Sequence, residues 1–414
     1  MLPFSHLLLL TVASFVSSSA LPPITPALST PLPPSQDPWY TAPPNYQFKE
    51  PGTIFRIRHA PGNLTSIVVN SSAAYNILYR STDSNYLPTW AVTTLYIPTT
   101  THTNKPKSLL SYQYPYNSPD VDASPSYAWL KGVPISDVSV ALGQGWFVNV
   151  PDFEGLLASF TCGVSSGHMT LDSIRAVLSA NLGVNHDTRY AMWGYSGGSI
   201  ASEWAAELQP KYAPELRFAG AAIGGVISNG LSALETVNGG LEAILVPFSF
   251  LGLATQHEKF RNFLHDKLKK TGPYNASTIY AFAKMDFNTG LSLFAFQNIY
   301  NYFVNGEADY RDPIVQNLGV EEALMGRHGI PRMQMFVYKA VGDEVSKIGD
   351  TDVMVEEYCR KGVDVVYQRN SVGGHLDESI NGAPRAVEWL GRVLEGRYRH
   401  VGCTVKNVTV SVGG

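Results

Sequence analysis

The sequence predicts an α/β fold, a mostly parallel central sheet flanked by helices, with a helical segment inserted late in the strand order. Three observations carry this. Short β-rich runs early in the chain give way to strand and helix patterns in alternation. At residues 188–206, TRYAMWGYSGGSIASEWAA, a strand pattern, a tight glycine-rich turn and a helix pattern follow one another without a gap. Between residues 226 and 322 the strands stop, and a mostly helical stretch intervenes that holds nine of the eighteen phenylalanines. The 414 residues, 44% hydrophobic and 15% charged, suffice for one large globular domain carrying such an insertion. A net charge of -4 without long basic runs argues against a nucleic acid or an anionic membrane as partner.

In chain order, residues 1–20 have an apolar centre followed by Ser18-Ser19-Ala20 and are expected to be a signal peptide, although no Lys or Arg precedes the apolar run. Serines interrupt that run too early for a membrane anchor. Four N-x-S/T triplets, at Asn63, Asn70, Asn275 and Asn407, suit glycosylation on the same route. Residues 21–52 are proline-rich and are expected to lie extended over the domain, because closely spaced prolines exclude helix interiors and central strands. The first part of the core, residues 53–225, opens with TIFRIRH, TSIVVN, AYNILYRST and WAVTTLYIP, which read as antiparallel strands. SLLSYQ and QGWFVNVPD are further strands, DSIRAVLSANLG is a helix, and LRFAGAAIGG is the next strand. The insertion, residues 226–322, reads as a helical lid or cap over an apolar site. Its most apolar piece, GLEAILVPFSFLGLAT, is too short for a membrane span and is broken by Pro247. Residues 323–414 return to the core with strands PRMQMFVYKA and VDVVYQ and a closing helix at residues 383–396.

The chemistry-bearing residues fall where strands end. Gly194-Tyr195-Ser196-Gly197-Gly198 has the form of the nucleophile elbow of the α/β-hydrolase fold, in which a strained turn projects the hydroxyl above the sheet and flanking glycines avoid a clash. Ser196 is the candidate nucleophile, and the N–H of Gly197 a candidate oxyanion donor. The loop after SLLSYQ lacks the glycine-rich version of the second donor; Tyr116 or Asn117 takes that part, or the loop is only a turn. Asp343 after the strand ending at Ala340 is the first choice for an orienting acid, with Glu344 in reserve, while Asp350 and Asp352 read as helix caps. His375, turned in by Gly373 and Gly374, completes the order Ser, Asp, His; His400 is a distant second. His168 reads as a structural residue at a helix N-terminus, no second metal ligand standing at a ligand spacing. Three cysteines, Cys162, Cys359 and Cys403, allow one bridge and leave one thiol over.

Together DPWYTAP, SLLSYQ with its YNS loop, SGHMTLDSIRA, GYSGGS, the late GDE and the terminal GGH resemble the fungal secretory lipase family, the type of Candida antarctica lipase A, over nearly the whole chain. The resemblance implies a Ser196, Asp343, His375 triad, Gly197 as oxyanion donor and a helical lid. It also implies a Cys359–Cys403 bridge, with Cys162 free because Ala123 stands where relatives carry a cysteine. Asn117 stands where family members carry Asp.

The implied activity is that of a secreted serine carboxylic-ester hydrolase needing no metal or organic cofactor, most simply a triacylglycerol lipase that meets its ester or lipid substrate at a lipid–water interface. An esterase of acylated secondary metabolites, such as trichothecenes, is the alternative within the family. A serine peptidase and a catalytically dead binding module are rivals from other classes.

Overall fold

The computed structural model describes residues 21–26, 30–100, 106–132 and 136–411, so the expected signal peptide lies outside the described residues. β-Branched and aromatic residues are frequent in most of the segments that pair: β1 (Ile24–Thr25), β2 (Ile54–His59), β3 (Ser71–Thr82), β4 (Pro88–Pro98), β5 (Ser108–Gln113), β6 (Phe147–Pro151), β7 (Arg189–Tyr195), β8 (Gly220–Gly224), β9 (Gln334–Ala340), β10 (Val365–Asn370) and β11 (Cys403–Val408). They form one sheet in the order β1-β2-β3-β4-β6-β5-β7-β8-β9-β10-β11. The pairs β2/β3, β3/β4 and β4/β6 are antiparallel, and every pair from β6 to β11 is parallel. The middle strands β5, β6 and β8 are buried along their whole length, as parallel strands covered on both faces must be. Met192, Ala221 and Val337 point to one face, under the helices Gly163–Ser179 and Gly197–Tyr212. Their neighbours Trp193, Ala222 and Phe336 point to the other, where Trp389 and Leu390 of the helix His375–Leu394 cover them.

The proline-rich lead-in is tied to this sheet by polar contacts. Ile24 pairs with Ile57, Asp37 meets Arg58 at 2.6 Å with both side chains buried, and the Arg58 guanidinium lies 4.1 Å over the Trp39 ring.

Between β8 and β9 come seven α-helices, among them Gly230–Val237, Leu245–Gln256, Glu258–Lys267 and Pro313–Ala323. They enclose a second core built from Phe248, Phe250, Phe260, Phe263, Phe282, Phe294 and Phe303, which joins the rest of the molecule through Phe160, Cys162 and Val345. Among the described residues no helix is long and apolar enough to cross a membrane.

Several elements differ from the sequence reading. TSIVVN is not a strand: Leu64–Ile67 is a helical turn. The helix expected from Asp172 begins at Gly163, and the last helix begins at His375, well before residue 383, and carries Pro384 inside it. Asp350 lies in the first turn of the helix Ile348–Arg360 but is not its cap, which is Lys347. Asp352 instead accepts from Tyr367 and pairs with Arg369, each at 3.0 Å. The edge strand β11 was not legible. Its first residue, Cys403, is bonded to Cys359 at the end of that helix, and Cys162 is a buried free thiol. Asn63, Asn70 and Asn407 are exposed, whereas Asn275 caps a helix by accepting from the Ser277 amide at 3.0 Å.

Candidate active site

Strand β7 ends at Tyr195 and the next helix starts at Gly197, so the reversal falls on Ser196 alone, at φ 54° and ψ -123°. That is a backbone region in which side chains are strained. Close approach explains the glycines around it. A Cβ on Gly194 would stand 2.1 Å from the Gly198 carbonyl oxygen, one on Gly198 would stand 1.9 Å from that of Gln113, and one on Gly197 would stand 1.8 Å from Oδ1 of Asn117. The turn is held from below by the Ser196 amide, which donates to the Gly224 carbonyl at 3.0 Å.

Two other strand ends bring their side chains to this point. His375 opens its helix directly after Gly374. Its Nε2 lies 2.8 Å from Ser196 Oγ and its Nδ1 lies 2.8 Å from Asp343 Oδ2. Asp343 follows β9 and accepts from the Val345 and Ser346 amides through Oδ1, at 3.0 and 2.8 Å, and from Lys339 Nζ through Oδ2 at 2.9 Å. Burial disfavours its charge, but the hydrogen bond and charge of His375, and then Lys339, outweigh it and hold the carboxyl down at about 2. Lys339 is itself wholly buried, and burial draws its ammonium below the usual lysine value against the pull of Asp343.

Glu344, the reserve acid, does not touch the imidazole; its carboxylate accepts the His375 backbone N–H at 2.8 Å. The Tyr195 hydroxyl donates to the His375 carbonyl at 2.5 Å. Asn117 sits at φ 46° with its side-chain amide against Gly197, and its Oδ1 has no hydrogen-bond partner. The Tyr116 hydroxyl points elsewhere and accepts the Glu154 N–H at 2.6 Å.

Residues weighed and set apart stay apart. His400 contacts Gln334 and Thr404. His168 lies inside its helix, stacked 4.0 Å from the Tyr212 ring, and not at the helix N-terminus as expected. Burial lowers its imidazole to about 4. Cys162, His257 and Glu322 converge with donor atoms within 4.8 Å of one another, but those donors are engaged. Glu322 accepts from His257 and from the Val164 amide, and the thiol faces the Gly252 carbonyl.

The sequence reasoning missed Lys339, Glu154 and the Tyr195 hydroxyl. A lysine inside the apolar strand MFVYKA, four residues before an acid, was the available signal for the first.

Above the site, an apolar cavity opens from Ser196, Gly197 and Asn117. Its walls are Ile200 and Trp204 from the nucleophile helix and mostly residues of the inserted helices, including Leu231, Leu234, Val237, Leu253, Phe260 and Val315.

A mostly parallel sheet with a strand, elbow and helix at its centre defines an α/β-hydrolase. Residues 129–402 match the secretory lipase family, and the chain belongs to it. It is 47% identical over 399 residues to a trichothecene C-3 esterase of Fusarium sporotrichioides, covering 92% of this chain and 89% of that protein. It is 35% identical over 406 residues to lipase A of Arthroderma benhamiae, covering 93% and 85%. The structure of Candida antarctica lipase A in its closed state superposes with a TM-score of 0.83 at 25% identity, covering 93% of this chain and 91% of that one. The protein is a carboxylic-ester hydrolase.

Proposed function

We propose that this hydrolase works through an acyl-enzyme on Ser196, with His375 as general base and then general acid and Asp343 as the carboxylate that orients it. The observation that carries the reading is the unbroken chain Ser196 Oγ, His375 Nε2, His375 Nδ1, Asp343 Oδ2, with 2.8 Å at each hydrogen bond. His375 takes the hydroxyl proton as Oγ attacks the ester carbonyl, and the negative oxygen of the tetrahedral intermediate meets the Gly197 N–H. Asn117 is the second donor: half a turn about its terminal torsion exchanges the unpaired Oδ1 for Nδ2 facing Gly197. Collapse expels the alcohol with the proton from His375, and water resolves the acyl-enzyme by the reverse route.

The cavity walled by Leu231, Leu234, Val237 and Phe260 receives the acyl chain, which makes residues 226–322 a cap over the site and the protein a lipase. A second reading rests on the 47% identity to a trichothecene C-3 esterase: hydrolysis of a short acyl group from a bulky secondary alcohol. We place the enzyme outside the cell, in keeping with the leader-like residues 1–20, the Cys359–Cys403 bridge and a family described as secretory. Labelling with a fluorophosphonate, followed by an ester panel from acetate to long-chain triglyceride, tests both levels. Labelling of a Ser196→Ala protein removes the mechanism, and a profile that peaks at acetate removes the lipase reading.

A further inference from the structure

Glu154 is a carboxyl with no evident reason to be where it is. It lies on the loop after β6, is 1% exposed, and neither carboxyl oxygen has a hydrogen-bond partner. A buried carboxyl without partners costs several kcal/mol of hydration when charged, so such a group is neutral or has a use. The loop it faces is residues 114–118, which carries Asn117. The backbone amides of Ser118 and Asn117 face the carboxyl without closing to full hydrogen bonds. The two loops are pinned to each other on either side of it, by the Glu154 amide donating to the Tyr116 hydroxyl at 2.6 Å and by the Tyr116 and Phe153 rings at 5.1 Å. On its far side the same loop is fastened to the inserted helices by the Ser118 hydroxyl, which donates to the Met285 carbonyl at 2.8 Å.

We propose that Glu154 is a positioning residue for acyl transfer: its side chain fills the space under residues 114–118 and holds Asn117 against Gly197. This rests on the reading of Asn117 as an oxyanion donor. The carboxyl acts in its neutral form. Burial pushes it well above the usual range, the Ser118 and Asn117 amides pull the other way, and Asp152 adds to the rise. A carboxylate here would set a negative charge beneath the loop that must stabilise a developing negative oxygen, and the low dielectric of the site magnifies that repulsion. The transition state would suffer more than the bound ester, so kcat would fall and KM would hold.

The ionisable groups that face Glu154 are Asp152, Tyr116 and Cys162. Asp152 is raised to about 7 by burial against hydrogen bonds from Ser126. It is present in wild type and in every Glu154 variant, so its contribution cancels in their comparison.

The test is the pH profile of kcat and KM on a soluble ester for wild type, E154Q and E154L, with Ser196→Ala as the blank for alkaline background hydrolysis. E154Q keeps the shape and cannot ionise. It is expected to match wild-type kcat where the wild-type carboxyl is neutral and to lack the fall expected of wild type as pH rises past that range. E154L is expected to lose kcat by about tenfold to a hundredfold at all pH values, the scale of a weakened oxyanion hole, with KM within about twofold. An E154Q profile indistinguishable from that of wild type overturns the proposal even where E154L fails to fold. Wild-type kcat in a folded E154L does so as well. Activity surviving in Ser196→Ala would instead remove the nucleophile and with it anything for Glu154 to position. An inert Ser196→Ala beside an unaltered E154Q profile removes only the role of Glu154.

Discussion

Under the proposed mechanism Asp343 carries activity and stability in one side chain, and substitution separates them. Ser196→Ala and His375→Ala are each expected to abolish ester hydrolysis, with the double variant no worse than either, because a nucleophile and its base act as one unit; turnover by purified single variants is the check. Asp343→Asn is expected to cost less in kcat but more in stability. Lys339 is completely buried and its ammonium is held by Asp343 and the Val226 carbonyl, so removing the carboxylate leaves a buried cation short of its counter-charge. Breaking such a pair costs roughly 3–5 kcal/mol, readable as a fall in the denaturant midpoint that Ser196→Ala does not share. The pH sign follows from the depressed carboxyl. With Asp343 held at about 2, below the ordinary value of about 4, its stabilisation is complete above pH 4 and disappears as pH falls through 2. The stability gap between wild type and Asp343→Asn should therefore narrow on acidification from pH 5 to pH 2; a constant gap would show that charge is not the cause. The three candidate residues Ser196, Asp343 and His375 were legible because each ends or follows a strand in a motif with glycine punctuation. Lys339 and Glu154 were not, because a single-sequence reading puts charges at the surface; it cannot find the Asp343 that pairs with a buried Lys339, nor the packing that shuts Glu154 away from water.

Elements were legible where burial is one-sided and periodic, and misread where something other than hydrophobic pattern decides. TSIVVN has strand composition, but the buried pair is Leu64 and Val68, four apart, with Thr65 and Ser66 exposed, which is helical spacing. Gly163 and Gly167 lie inside the helix that starts ahead of the expected Asp172, because a Cβ at Gly163 would strike the Trp204 ring and one at Gly167 would come within 2.9 Å of the Trp204 backbone. These glycines let the two helices beneath the elbow touch. Strand β11 has no buried face to betray it. It is held by parallel pairing to β10 and by the Cys359–Cys403 bridge, so the bridge should be what keeps the sheet edge in place. Cys403→Ser is expected to lower stability by ~2–4 kcal/mol. Amide exchange should quicken along β11 and β10 and stay slow at β7. Uniform loss of protection across the sheet would instead mean that the edge and centre unfold together.

At the scale of the whole molecule, the apolar cavity lies over Ser196 between the nucleophile-elbow helix and the inserted helices, and under the proposed function it selects the ester. The lower wall comes from the nucleophile helix through Ile200 and Trp204, and the upper wall from Leu231, Leu234, Val237, Leu253 and Phe260 of the inserted helices. Each acyl methylene moved from water into such a wall gains ~0.8 kcal/mol in the transfer limit. If that contact is made in the transition state, kcat/KM rises several-fold from acetyl to medium-chain esters and levels off where the cavity ends. Leu234→Trp, which adds bulk to the upper wall, separates the acyl and alcohol assignments. With the acyl chain in the cavity, the variant should keep acetyl ester hydrolysis and lose the longer esters, so that its profile peaks at a shorter chain. If the cavity instead holds a bulky alcohol, the wild-type profile peaks at acetyl and falls with each added methylene. Leu234→Trp would then depress acetyl esters of large alcohols while sparing those of ethanol. The comparison turns on which side of the ester feels the tryptophan, and a variant that lowers every ester equally would place the cavity outside substrate binding altogether.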